Sequence, residues 1–327
     1  MTDIAMIRAA QRRLAPVVRC TPLLSSPFLA ALAGRLVLIK AECLQHTGSF
    51  KFRGGWSAVS TLSPDVRARG VIAYSSGNHA QGVAYAAQQH GIPAVIVMPA
   101  DSPGIKIANT RALGAEVITY DRLTENREAL GQDVANARGL TLIRPYDEPE
   151  VIAGQGTTGL EIARQCKNLV QGPADVLVCC GGGGLSAGIA LALEETAPHL
   201  RVRPCEPAGF DDTARSLQSG KREENAAAGG SICDAIVTPK PGELTFPVLQ
   251  RLAGPGLVVT DQECLHAMAL AFLRLKIVLE PGGATALASA LFRRDQIDGD
   301  AVIVVATGGN VDPTLFTQTL ENEEYFS

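Results

Sequence analysis

The residues of this chain best suited to chemistry are one lysine and three glycine-bearing turns, each turn following an apolar strand. Lys51 stands in the run Thr47-Gly48-Ser49-Phe50-Lys51-Phe52-Arg53-Gly54-Gly55. Residues 36–39 read as a strand, Gly48 breaks the chain, and residues 49–62 read as a helix ended by Ser63 and Pro64. A lysine held at such a junction loses water, and desolvation pushes an amine toward its neutral, nucleophilic form. A neutral lysine amine forms Schiff bases with carbonyl compounds. Taken alone, Lys51 reads equally as a surface lysine. Its weight comes from the turns further along.

The first turn is Ser75-Ser76-Gly77-Asn78-His79, which opens a helix predicted over residues 78–90. Free amides at a helix start can hold an anion such as a substrate carboxylate. Asn78 can donate to a phenolic oxygen, or Ser75, Ser76 and Asn78 serve only as caps. The second turn is Gly181-Gly182-Gly183-Gly184-Leu185. Four glycines present successive amides without side-chain clash, and the helix beginning near Leu185 adds its positive end, so the turn suits a phosphate. The third is Thr307-Gly308-Gly309-Asn310, where a hydroxyl can bond an unprotonated pyridine nitrogen or simply close a turn. An aldehyde-accepting lysine, a phosphate cradle and a hydroxyl for a pyridine together suit pyridoxal phosphate (PLP). A nicotinamide cofactor is the rival. Gly182, Gly184 and Ala187 satisfy the pattern G-x-G-x-x-A, and Glu206 follows at the end of the next strand. That reading leaves Lys51 and the third turn unexplained. Glu206 and Asp212 flank Phe210. The two carboxylates and the Phe210 carbonyl can hold Mg²⁺ or Ca²⁺, or Asp211 or Asp212 caps the helix that follows.

Apolar strands must carry these turns. Strands are predicted at residues 71–74, 94–98, 116–120, 176–180 and 301–305, and helices at 105–113, 125–137 and 185–195. This alternation predicts an α/β protein with two open, mostly parallel sheet domains and the cofactor cleft between them. Residues 65–145 form consecutive strand–helix units and read as a small domain. Residues 1–60 and 146–327 then make a larger, discontinuous one, with an irregular loop over 219–231. The chain has 327 residues, 46% of them hydrophobic, and a net charge of −4. No basic block stands out, which argues against nucleic acid. No apolar run reaches membrane-spanning length, and residues 1–13 lack the apolar core of a secretory signal. Eight scattered cysteines, without a C-x-x-C pair, fit reduced thiols in a cytoplasmic protein better than a zinc site.

In order and spacing, the motifs resemble the fold-type II PLP enzymes, specifically the threonine/serine dehydratase and serine racemase group. The similarity runs from about Thr21 to Asn310 and includes Ile152-Ala153-Gly154-Gln155-Gly156-Thr157 and Glu280-Pro281. The resemblance implies Lys51 as the Schiff-base lysine, Phe50 beside the ring, Asn78 on the ring hydroxyl, Thr307 on the pyridine nitrogen, and Gly181, Gly182, Gly183, Gly184 and Leu185 on the phosphate. It places a substrate carboxylate on Ser75, Ser76, Gly77, Asn78 and His79, and favours a metal at Glu206, Phe210 and Asp212. It implies a PLP-dependent ammonia-lyase that converts a β-hydroxy amino acid to a 2-oxo acid and ammonia, and a homodimer. Serine racemase and 3-hydroxyaspartate dehydratase or racemase are the alternatives. Related threonine dehydratases usually carry alanine where this chain has Ser76, and Ser76 would act as acid/base on the face opposite Lys51. Arg144, where relatives typically carry proline or histidine, can bind a second substrate carboxylate or lie on the surface. The group's C-terminal regulatory extension is expected to be absent.

Overall fold

The computed structural model describes residues 1–327 except Ser76, Pro103, Leu123, Ala228, Glu323, Glu324, Phe326 and Ser327. In chain order the strands are β1 (Leu23–Ser25), β2 (Leu36–Lys40), β3 (Val71–Tyr74), β4 (Ala94–Pro99), β5 (Glu116–Tyr120), β6 (Thr141–Leu142), β7 (Ala174–Cys179), β8 (Leu200–Pro207), β9 (Leu257–Val259) and β10 (Ala301–Val305). The helices that matter most here are α1 (Ile4–Leu14), α2 (Pro27–Ala33), α3 (Lys51–Thr61), α4 (Pro64–Arg69), α5 (Asn78–Gln89), α6 (Gly104–Ala112), α7 (Arg127–Arg138), α8 (Pro149–Cys166), α9 (Gly184–Thr196), α10 (Asp212–Ser219), α11 (Thr245–Leu252), α12 (Asp261–Leu275) and α13 (Pro281–Phe292).

Among the described residues the strands form two sheets. One runs β1-β2-β10-β7-β8-β9 and the other β5-β4-β3-β6. Every pairing is parallel except that of β1 with β2. The strands of the larger sheet's centre are apolar runs without alternation. Every residue of β7 and β10 is buried, because helices cover both faces. One face packs Leu177, Val302 and Val304 against α12 and α13, and the other packs Val176, Val178 and Ile303 against α8 and α9. The expected two-sheet α/β architecture is present. The irregular loop begins at Gly220, just after α10.

The helix that carries Lys51 joins the two sheets. Its apolar side, Phe52, Trp56 and Val59, packs with Val71, Ala73 and Ile96 of the smaller sheet. Its glycine side admits α8 so closely that a Cβ on Gly154 would lie 2.4 Å from the Arg53 carbonyl oxygen. Arg53 is fully buried and bonds Glu42 through Nε (2.7 Å) and Nη2 (2.7 Å), and Glu161 through Nη1 (2.8 Å). Lys40 completes this buried network on Glu161. Removing one member of such a group would strand an uncompensated charge, at about 3–5 kcal/mol. The network therefore fixes the helix two residues beyond Lys51.

The helix starts at Lys51, two residues later than its sequence predicts. Ser49 is extended (φ −162°, ψ 159°) and bridges Gly308, and the Phe50 amide donates to the Thr307 carbonyl. Pairing with the turn after β10 takes these residues out of the helix and brings Lys51 beside Thr307. Helix α8, which the periodicity does not predict, also supplies residues to the cleft.

Candidate active site

Loops after β3, β7 and β10 open into one cleft between the sheets, which contains about 990 Å³ of space between atoms, part of it continuous with solvent. Lys51 lines it. Its Nζ donates to the Pro145 carbonyl (2.7 Å) and lies 5.3 Å from the centre of the Phe50 ring. Surrounding protein strips water from the amine and lowers its pKa from 10.5 to about 8, so a substantial fraction is neutral near pH 8.

The three turns meet around this amine. In the turn after β7, Gly183 takes a left-handed conformation (φ +88°) that glycine adopts without strain, and α9 starts immediately after it. The first turn of α9 leaves amides without intrahelical partners. A Cβ on Gly182 would lie 2.2 Å from the Tyr146 ring, so only glycine fits beneath that tyrosine. Thr245 Oγ1 donates to the Gly182 carbonyl (2.7 Å) and holds the loop down. Leu185 and Ser186 follow along the cleft wall. Thr238 Oγ1 is buried without a partner among the described residues, and Ser186 Oγ is buried beside the Cys180 thiol.

In the turn after β3, the Gly77 amide donates to Ser75 Oγ (3.1 Å). His79 is buried, and its Nε2 bonds the Ile143 carbonyl (2.9 Å). Burial first, and then the charge on Lys51, push its pKa down to about 3, so the imidazole is neutral. His79 thus adds no cationic ring to the cleft. Ser76 lies outside the described residues. Asn78 Nδ2 donates to Glu280 Oε1 (2.5 Å), and Asn78 Oδ1 accepts from Asn310 Nδ2 (2.7 Å). One amide hydrogen of Asn78 remains for a ligand. Thr307 is buried at the cleft wall with its side chain against the Cys179 thiol.

Sequence reasoning did not name Lys106, Arg127, Tyr146, Gln155, Asp234 or Glu280 as site residues, yet all line the cleft. Lys106 lies across the first turn, where a Cβ on Gly77 would be 3.3 Å from its Nζ, and pairs with Asp234 (3.4 Å). Arg127 opens α7 and sits over the Tyr74 ring (5.6 Å). Glu280 is 3% exposed, with Oε2 unpartnered among the described residues; burial raises its pKa to about 7. Only Glu280 and Gln155 had a signal in the sequence, through the motifs that contain them. Arg144 is exposed and is not among the cleft-lining residues. Its amide donates to Glu148 Oε2 (2.6 Å), and its side chain bonds the Tyr74 hydroxyl.

At the end of β8, Glu206 is fully buried and accepts the amides of Thr213 (2.9 Å) and Ala214 (2.7 Å). The cap sought in Asp211 or Asp212 is thus made by Glu206; Asp211 forms no side-chain cap bond. Asp212 Oδ1 accepts from Asn225 Nδ2 (2.6 Å), while Oδ2 is buried without a partner among the described residues. Burial, then the neighbouring Asp212 charge, raises the Glu206 pKa well above its ordinary value, and burial raises that of Asp212 to about 7. Phe210 is buried between them in sequence. Among the described residues no group of three or more His, Cys, Asp or Glu is arranged for a metal.

A desolvated amine at one end, a glycine cradle with helix amides at the other, and unclaimed polar atoms between them fit PLP: an aldehyde, a phosphate and a polar ring. Comparison with known proteins agrees. Residues 14–308 match the model of the pyridoxal-phosphate dependent enzyme family, and the chain belongs to that family. It is 41% identical over 317 residues to the L-threo-3-hydroxyaspartate ammonia-lyase of Pseudomonas sp, covering 97% of each chain. Among solved structures, it is similar to a threonine deaminase from T.th. (TM-score 0.89, 43% identity, 95% of this chain and 99% of that one). Maize serine racemase superposes with TM-score 0.90 at 36% identity, over 99% of each chain.

Proposed function

We propose that this chain is an ammonia-lyase that eliminates water from a β-hydroxy amino acid bearing a second carboxylate, of the 3-hydroxyaspartate type, and takes a water back as the resulting imine hydrolyses to a 2-oxo acid and ammonia. The observation that carries the substrate class is the pair of cations, Lys106 and Arg127, that line the cleft beside the carboxylate-binding turn. PLP, when bound, supplies an electron sink for the charge that develops at the substrate Cα. Lys51 would hold its aldehyde carbon, Phe50 would lie beside the ring, and residues 181–185 would hold the phosphate. Asn78 would donate to the ring hydroxyl and Thr307 would face the pyridine nitrogen. The amides of the Ser75–His79 turn bind the α-carboxylate, and Lys106 and Arg127 receive the distal one. Lys51 Nζ, neutral in a substantial fraction of molecules near pH 8, takes the α-proton.

A racemase activity at the same site is the second reading. It is favoured by the position of Ser76 between Ser75 and Gly77, both of which line the cleft. A hydroxyl there serves the face of Cα that Lys51 does not reach. We further propose a divalent cation, Mg²⁺ or Ca²⁺, at Glu206, the Phe210 carbonyl and Asp212. The unpartnered Asp212 Oδ2 and the raised pKa values of both acids fit a site that a cation neutralises. Exposed Phe28 and Phe272, with Val278, fit a homodimer contact. No helix among the described residues is long and apolar enough to cross a membrane, and a cytoplasmic location is part of the proposal. Ammonia release should be measured from L-threo-3-hydroxyaspartate, L-serine and L-threonine. The proposal expects the dicarboxylate to give the highest kcat/KM, and equal or better turnover of threonine refutes the substrate class.

A further inference from the structure

Gln155 is 1% exposed and lines the same cleft as Lys51, yet both its Oε1 and its Nε2 lack a hydrogen-bond partner among the described residues. Its place is set by a missing side chain. A Cβ on Gly54 would lie 2.4 Å from Gln155 Nε2 and 2.9 Å from Cδ, so the carboxamide rests directly on α3. Gly54 is three residues after Lys51 and therefore on the same helix face. The side chains of Arg53 and Thr157 next to it are paired. Arg53 bonds Thr157 Oγ1 (3.1 Å) and Glu161, and Thr157 Oγ1 donates to the Gly154 carbonyl (2.7 Å). A buried carboxamide with neither end satisfied is costly. The cavity it faces contains an amine that makes one hydrogen bond, to the Pro145 carbonyl, and has further bonding capacity.

We propose that Gln155 is a positioning residue for Lys51: its carboxamide is the second station of the lysine amine, taken up when Nζ leaves the Pro145 carbonyl to accept the α-proton. This rests on the reading of Lys51 as the proton acceptor. In the step itself the Nζ lone pair takes the proton, the electron pair of the C–H bond stays on Cα, and the new ammonium donates to Gln155 Oε1. A neutral carboxamide steadies that ammonium by its dipole and leaves the amine able to give the proton up again.

The test uses the holoenzyme, Gln155→Leu and Gln155→Glu, with L-serine and L-threo-3-hydroxyaspartate, each protiated and deuterated at Cα. For Gln155→Leu the expectation is unchanged cofactor absorbance, KM within about twofold, kcat lower by roughly 10- to 100-fold, and a larger α-deuterium isotope effect. For Gln155→Glu the acidic limb of kcat should move to higher pH, because a nearby carboxylate favours the ammonium form. The pH dependence with which added PLP bonds to Lys51 in cofactor-stripped protein should move the same way. A structural role alone produces neither shift. Wild-type kcat and isotope effect in Gln155→Leu, or an unmoved limb in Gln155→Glu, overturns the proposal. Should Gln155→Leu fail to fold, the direction of the Gln155→Glu shift decides. If borohydride reduction of the wild-type holoenzyme fixes the cofactor elsewhere than on Lys51, the underlying reading fails instead.

Discussion

Replacing Lys106 by methionine should change substrate choice more than it changes catalysis. Lys106 is 7% exposed, and its positive charge is set against Asp234 at 3.4 Å, which is itself half exposed. Two unit charges about 4 Å apart attract by roughly 4 kcal/mol at an effective dielectric constant near 20. The substrate carboxylate must shed water and compete with Asp234, which together offset about half of that attraction. A net contribution of about 2 kcal/mol remains, or roughly 30-fold in kcat/KM. Lys106→Met should therefore lower kcat/KM for L-threo-3-hydroxyaspartate by roughly that factor, and Arg127→Met should add to the loss. L-Serine, which has no second carboxylate, should change by no more than about threefold. The Lys106 charge opposes the upward shift of Glu280, so its loss should leave Glu280 more often protonated and contribute to that residual change. The assay is ammonia release from both substrates over a concentration series. A parallel fall for the two substrates would falsify the assignment of Lys106 to the distal carboxylate.

Three further outcomes are expected. Because the Lys51 pKa is lowered from 10.5 to about 8, the reactive neutral form is lost as pH falls through that value; kcat should decline about tenfold per pH unit below it, and Lys51→Ala should abolish both turnover and cofactor absorbance. Chelation with EDTA should lower Tm by on the order of 3 °C, and Glu206→Gln should remove that sensitivity; an identical Tm with and without EDTA sides with a purely capping Glu206. Ser76→Ala should eliminate any racemisation while leaving elimination from L-substrates, which chiral chromatography of residual substrate resolves; racemisation that persists assigns that face to another group.

The sequence alone determined the parts of this protein that depend on local chemistry. Short continuous apolar runs at residues 71–74, 176–180 and 301–305, alternating with helical stretches, fit strands buried on both faces, so the parallel sheets were legible in the sequence. The glycines at 181–184 announced a cradle because four missing side chains in a row have few other uses at a strand end. Lys51 was legible through its neighbours and through the family resemblance. Tertiary structure decided what comes from chain segments far apart. Lys106 and Arg127 are undistinguished cations in sequence; parallel crossovers bring the first turns of α6 and α7 to the cleft, which both residues line. Arg144 read equally as a second cation or a surface residue; it lies exposed beside Tyr74 and is not among the cleft-lining residues. The start of α3 was misplaced by two residues because a bridge to Gly308, more than 250 positions away, outweighs local helix preference. Around α10 the sequence left open a metal site or a cap by Asp211 or Asp212; the cap bonds come from Glu206, which reaches the helix from the preceding strand. Local pattern specifies which elements form and what each can do; the partners that desolvate an amine, pair a charge or leave a carboxamide unbonded are set only when those elements pack.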